Sequence, residues 1–256
     1  MNSELHFEIK HGVAYLRLNR PEHGNAINLA LAKQLLQAAI RCHHDPEIHC
    51  VVLTGTGRIF CAGGDIADFA QADQNISVFI NELASTLHLS MSNLMRMSKP
   101  LVVMVNGIAA GAGMGLSLIG DLVIVDENTK FTPAYSAIGL SPDAGLTWLL
   151  PKLVGMRKAQ EILLLNRTLS ATSALQYGLI TEVLSSDQLE SRVQDLVNQL
   201  MNSALPALGQ TKQLLLASHQ NSWTAHLEHE AEAIANLSSK VTTQERIHAF
   251  LDKKRA

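Results

Sequence analysis

Apolar and polar residues alternate in LHFEIK and VAYLRL, on either side of His11-Gly12, and Pro21 follows the second run. The pattern predicts two short strands joined by a turn. From Asn28 to about His43 the apolar spacing becomes helical through Leu29, Leu31, Ala32, Leu35, Leu36, Ala39 and Ile40, with Asn28 as N-cap. CVVLTG reads as a buried strand, and TGRIFCAGGDI as a glycine-bearing loop entering a short helix. Asn75 to Met97 predicts a long amphipathic helix. KPLVVMVNG is a further strand, NGIAAGAGMGLSL carries the chain into another helix, and DLVIVD and TKFTP add two short strands. After GLSPDAGLTWLLPKLVG the helical period dominates through RKAQEILLL, TSALQYG, SDQLESRVQDLVNQLM and the final segment. Strand, strand, helix repeated first and helices last predict an α/β protein with a parallel-sheet core and a helical appendage. We divide it into a core over 1–195 and a helical C-terminal region over 196–256.

Composition narrows the classes. Of 256 residues, 47% are hydrophobic and 17% charged, which suits a folded chain rather than a disordered one. The net charge of -3, without a long Lys/Arg run, predicts neither a nucleic-acid groove nor a membrane surface as partner. Three cysteines without CxxC spacing read as reduced thiols. MNSELHFEIK has no apolar core of a signal peptide, and no window reaches the ~18 apolar residues of a membrane span. A soluble, cytoplasmic protein is expected. Histidines cluster in CHHDPEIHC and at His226 and His229, but neither group has the spacing of a metal site, and none is expected.

Several motifs fail on inspection. GAGMGL has Leu116 where a GxGxxG fingerprint needs glycine, there is no GxxxxGK, and Ser117 lies inside a helical pattern rather than at a nucleophile elbow. Two loops nevertheless share one design of strand, glycine-rich turn and helix: FCAGGDI (Phe60–Ile66) and AAGAGMG (Ala109–Gly115). Each can aim backbone N–H groups at a developing negative charge, and two such groups on one oxygen form an oxyanion hole, at roughly 3–4 kcal/mol per donor. The glycines are equally compatible with tight turns and close packing alone.

NRPEHGNAIN, VVLTGTGRIFCAGGDI, KPLVVMVNGIAAGAGMGLSLIGDLVIV and GLSPDAGLTWLLPKLVGMRKAQEILL, in this order, resemble the crotonase superfamily, the enoyl-CoA hydratase/isomerase family, over essentially the whole chain. The resemblance implies a spiral of ββα units, a helical C-terminal trimerisation region, and a homotrimer or homohexamer. It implies an acyl-CoA thioester as substrate, an enolate-like intermediate, and no permanently bound cofactor, coenzyme A entering as part of the substrate. It places the oxyanion N–H donors at Gly64 and Ala112, beside Gly111. It places the CoA cleft along Ala26, Ala62, Asp65 and Ile66, with Phe250 and Lys253 reaching a neighbouring subunit's CoA.

The glutamate pair that adds water in hydratases of this family would fall at Gly115 and Tyr135, so both carboxylates are absent. Asp143 in GLSPDAG remains. Read locally it is an N-cap. The resemblance instead makes it the catalytic aspartate of family members with a single carboxylate, such as epoxyphenylacetyl-CoA isomerase-like enzymes, and the nucleophile of aromatic acyl-CoA dehalogenases. A single carboxylate suits double-bond isomerisation, taking a proton from one carbon and returning it to another. His88 shares a helical stripe with Ala84, Met91 and Met95, which reads as a core position, whereas the resemblance matches it to the dehalogenase base. Leu87 and Tyr135 stand where dehalogenases carry tryptophans. The expected activity is an acyl-CoA double-bond isomerase, with Tyr135 and His88 shaping the acyl pocket and Ile138, Leu140, Leu146 and Trp148 its apolar surroundings. The alternatives are a hydratase-like enzyme, or a hydrolase or dehalogenase using Asp143 as nucleophile and His88 as base.

Overall fold

The computed structural model describes residues 3–253. The alternating N-terminal segments form β1 (Leu5–Lys10) and β2 (Val13–Leu18), an antiparallel hairpin whose turn residues His11 and Gly12 both have positive φ. Next comes α1 (Leu29–His44), capped by the Asn28 side chain as its sequence predicts. Then follow β3 (Cys50–Gly55), β4 (Ile59–Cys61), α2 (Ile66–Gln71) and α3 (Ile76–Arg96). The unit is repeated as β5 (Leu101–Val105), β6 (Ile108–Ala110) and α4 (Ala112–Ser117), and again as β7 (Leu122–Asp126), β8 (Lys130–Thr132) and α5 (Leu146–Val154).

Each repeat sends its first strand into a large sheet, ordered β1-β2-β3-β5-β7 before a last strand, and its second into a small sheet that starts β4-β6-β8. Successive repeats lie side by side in parallel register, forming the ββα spiral that the resemblance implies. The large sheet is buried on both faces, so β3 and β5 are continuous apolar runs rather than alternating ones. Val51 and Leu53 face the main core, while Cys50 and Val52 face a second cluster.

The rest of the chain is α6 (Met156–Leu164), β9 (Leu169–Ser170), α7 (Ala171–Gln176), β10 (Glu182–Leu184), α8 (Ser186–Met201), α9 (Leu205–Ala217), α10 (Trp223–Ser238) and α11 (Val241–Lys253). The purely helical reading of this part needs correction. β9 pairs with β8 in the small sheet, and β10 pairs with β7 to finish the large one. Both strands are two or three residues long, too short for alternation to register. Leu189, Val193 and Val197 of α8 cover the second face of the large sheet, so residue 195 lies inside a helix that belongs to the core. α9 is pinned to the core by a buried lysine. Lys212 Nζ is 2.8 Å from Asp121 Oδ2 and also donates to the carbonyls of Leu94 and Lys99. Cys42, Cys50 and Cys61 are buried free thiols, and burial pushes each up to about 12. Among the described residues, no helix is long and apolar enough to cross a membrane.

Candidate active site

The two glycine-rich loops meet. β4 and β6 run parallel, so the turns that leave them lie side by side. A Cβ on Gly63 would come to 3.0 Å from the Ala110 carbonyl and 3.5 Å from Ala112 N, so the backbones approach as only glycine allows. Gly63 and Gly111 take positive φ of 102° and 52°. With Gly111 absorbing that conformation, Ala112 begins α4 with ordinary helical geometry, and alanine is tolerated where a glycine is usual.

The Gly64 and Ala112 N–H groups are not claimed by the fold's ladders. Ile27 bridges this loop through Ile27 N–H to Gly63 O (2.7 Å) and Asp65 N–H to Ile27 O (3.0 Å), which passes over Gly64 N–H. Ala112 is the first residue of its helix, where an N–H has no intrahelical acceptor.

The loop before α2 is held from behind. Asp65 caps α2 through Ala67 N–H and pairs with Arg20, Nη1 to Oδ2 at 2.8 Å. Burial alone would raise the Asp65 carboxyl, but the Arg20 guanidinium and the backbone donors outweigh it and hold it below its usual range. Arg20 also donates to the Ala26 carbonyl and reaches Glu4. Asp65 and Ala26 are thus fixed by one guanidinium, which the sequence reading missed although NRPEHGN contains it.

A cavity of 320 Å³ opens on these N–H groups. Ala62, Gly64, Ile66, Gly111, Ala112, Tyr135 and Asp143 all line it, as does the apolar stripe of α3. Ala26 is buried behind the same wall. Ile66, Ile138 and Leu140, exposed by 52%, 52% and 38%, form an apolar lip. Three large exposed apolar side chains around one mouth mark a surface built to be covered.

Asp143 lines this cavity beside Tyr135, and its N-cap reading does not hold. Gly145 occupies the N-cap of α5 without a side-chain bond. The Asp143 carboxylate instead accepts the Tyr135 hydroxyl on Oδ1 at 2.5 Å. Tyr135 is 9% exposed; burial first, then the adjacent Asp143, push its phenol above the usual range, so it remains a proton donor. Left-handed Ala134 and Ala144 (φ 67° and 48°) turn the chain so that both side chains point inward.

His88 is placed differently from expectation. Its side chain is 46% exposed and lines a neighbouring groove with Met91, Met95 and Trp148, reaching the acyl cavity only through the Asp143–Ala144 segment. Its Nε2 accepts the Ala144 N–H at 3.1 Å, which assigns the ring proton to Nδ1, and lies 3.5 Å from Asp143 Oδ2. Trp148 belongs to that groove too, against Lys152 and His219, and Leu146 is core; neither surrounds the carboxylate. Phe250 lies on α11, 59% exposed and outside the cavity lining, and the side chain of Lys253 falls outside the described residues.

A model of the enoyl-CoA hydratase/isomerase family matches residues 8–256. The chain belongs to this family. The 1,2-epoxyphenylacetyl-CoA isomerase of Escherichia coli (strain K12) is 35% identical over 254 residues, which cover 96% of this chain and 94% of that protein. The 4-chlorobenzoyl coenzyme A dehalogenase-2 of Arthrobacter sp is 32% identical, over 98% of this chain and 92% of its own. An enoyl-CoA hydratase structure from Polaromonas sp. JS666 superposes with a TM-score of 0.92 at 29% identity, covering 97% of both chains.

In this enoyl-CoA hydratase/isomerase family member, position 115 is physically closed to a carboxylate by the loop around Ala144. A Cβ on Gly115 would sit 2.8 Å from Ala144 Cβ and closer still to the Ala144 carbonyl oxygen. The loop that presents Asp143 occupies the space a side chain at 115 would need. Nothing in the sequence signals this contact, because Ala144 lies 29 positions away (144 less 115) in a loop without regular structure.

Proposed function

We propose that the protein is an acyl-CoA double-bond isomerase. The thioester oxygen is held by Gly64 N–H and Ala112 N–H, which stabilise the enolate as charge moves onto it. Asp143 takes a proton from the carbon on one side of the double bond and returns it on the other, using Oδ2 while Tyr135 holds Oδ1. Coenzyme A is part of the substrate and no resident cofactor is needed. The observation that carries this reading is the single carboxylate: among the described lining residues, Asp143 is the only one, and Ala144 fills the place of a second. One carboxylate can shuttle a proton, whereas adding water needs a pair of groups to orient and activate it. Turnover of 3-enoyl-CoA to 2-enoyl-CoA by the Asp143→Asn variant tests the reading. We expect a loss of about 10²–10⁴-fold, and full retention refutes it.

A second reading has one observation in its favour, the 3.5 Å approach of His88 Nε2 to Asp143 Oδ2. Asp143 would attack the thioester carbonyl or a halogen-bearing ring carbon, expelling CoA thiolate or halide, and His88 would activate the water that hydrolyses the resulting Asp143 anhydride or ester. Against it, the Nε2 lone pair is already committed to Ala144 N–H. Solvent-oxygen label entering Asp143 in a single turnover would favour this route. We also propose a homotrimer or homohexamer, supported by large exposed apolar residues on the C-terminal helices, including Leu215, Trp223 and Ile234. Light scattering on the purified chain tests it.

A further inference from the structure

We propose that the acyl compartment accepts a neutral, apolar acyl group and rejects one that carries a charge of either sign at its far end. The proposal rests on the reading of the cavity as an acyl-CoA site and goes on to name the class of acyl group. Ile80, Leu83, Ala84 and Leu87 follow one another at i, i+3, i+4 and i+7 along α3, and this stripe forms one wall. Phe69 and Ile138 contribute to the rest. No Lys, Arg or His is among the described lining residues. The titratable groups nearby are spoken for: Arg20 faces Asp65 and Glu4 behind the loop, and His88, 3.5 Å from Asp143 Oδ2, accepts the Ala144 N–H and opens into the neighbouring groove.

A terminal carboxylate on the acyl chain would lose its water, find no cation, and share the cavity with the Asp143 anion. A terminal quaternary ammonium would meet one carboxylate already bound to the Tyr135 hydroxyl, with Phe69 and Tyr135 as the aromatic rings of the lining and no cage around it. At 320 Å³ the cavity lies at the small end of the ~300–1,000 Å³ range of ligand pockets, so a group placed in it is desolvated rather than left in open water.

Three saturated thioesters of matched shape test this on the full-length protein by calorimetry: 5,5-dimethylhexanoyl-CoA (neutral), glutaryl-CoA (anionic) and 4-trimethylammoniobutanoyl-CoA (cationic). They share the CoA handle and have no double bond to move, so the order of affinities reads the compartment alone. The isomerase reading fails separately, on Asp143→Asn turnover. We expect the neutral thioester to bind at least about 30-fold more tightly than either charged one. Binding of either charged thioester within about threefold of the neutral one overturns the proposal. Ala84→Arg, which puts a cation on the α3 wall, should tighten glutaryl-CoA by about tenfold or more and weaken the neutral thioester. An unchanged order in that variant overturns the assignment of α3 as the wall.

Discussion

The two sides of the cavity are built in opposite ways. The proposed oxyanion side is backbone: two N–H groups delivered by strands β4 and β6, with glycines where the chains touch. The proposed proton-transfer side is side chains on an irregular segment, where Tyr135 and Asp143, eight residues apart, are brought together by left-handed Ala134 and Ala144. The first side takes its precision from sheet register and tolerates changes of side chain that leave the N–H in place. The second depends on two L-residues held in a conformation they rarely adopt, at a cost of order 1–3 kcal/mol each, and on one hydrogen bond from a buried phenol.

That contrast can be broken from either side. The largest effect is expected for Asp143→Asn, whose loss of about 10²–10⁴-fold in isomerisation should leave thioester binding nearly intact. The matching test on the other side must delete an N–H rather than a side chain. Ala112→Pro does this at the first position of a helix, where proline is tolerated, and should lower kcat by about 10²–10³-fold with an unchanged circular dichroism spectrum. If Ala112→Pro turned over normally, the oxyanion role of that loop would be lost.

Tyr135→Phe is expected to come next, with a fall in kcat of roughly 10–100-fold for one hydrogen bond to a charged group and little change in KM. Phenylalanine fills the same space, so a purely packing role for Tyr135 would leave kcat unmoved. The smallest effect concerns the support of the oxyanion loop. The folded Asp65 carboxyl lies below the ordinary aspartate value of 3.8, so its pairing with Arg20 contributes stability in full above that pH and loses it as the pH falls further. Asp65→Asn should therefore have a lower urea midpoint than the wild type at pH 7, with the gap narrowing on acidification below 3.8. A gap independent of pH would mean that the pair does not hold the loop.

The same contrast decides what could be read from the sequence. Glycines after apolar runs announce a backbone that must approach something, so the two loops were legible, whereas Gly64 and Ala112 were singled out as donors by the family resemblance; β3 and β5 were legible in their unbroken apolar stretches. The helices α1 and α3 followed from their period and, for α1, from Asn28. β9 and β10 were not legible, because two or three residues carry no alternation and their strand character comes from the neighbours they pair with. Asp143 could be nominated but not placed. Its bond to Tyr135 depends on positive φ at two alanines, which nothing in alanine's chemistry announces. Helical spacing read His88 as core and the resemblance made it a site residue; the structure exposes it in a neighbouring groove, because a stripe does not say which cavity it adjoins.

The contact between Gly115 and Ala144 constrains how this protein could acquire a different chemistry. A side chain added at 115 collides with the loop that carries Asp143, so that loop must shift to admit it. A glutamate at 115 therefore needs a compensating change in the Asp143 loop, so the two positions are coupled although 29 residues apart (144 less 115).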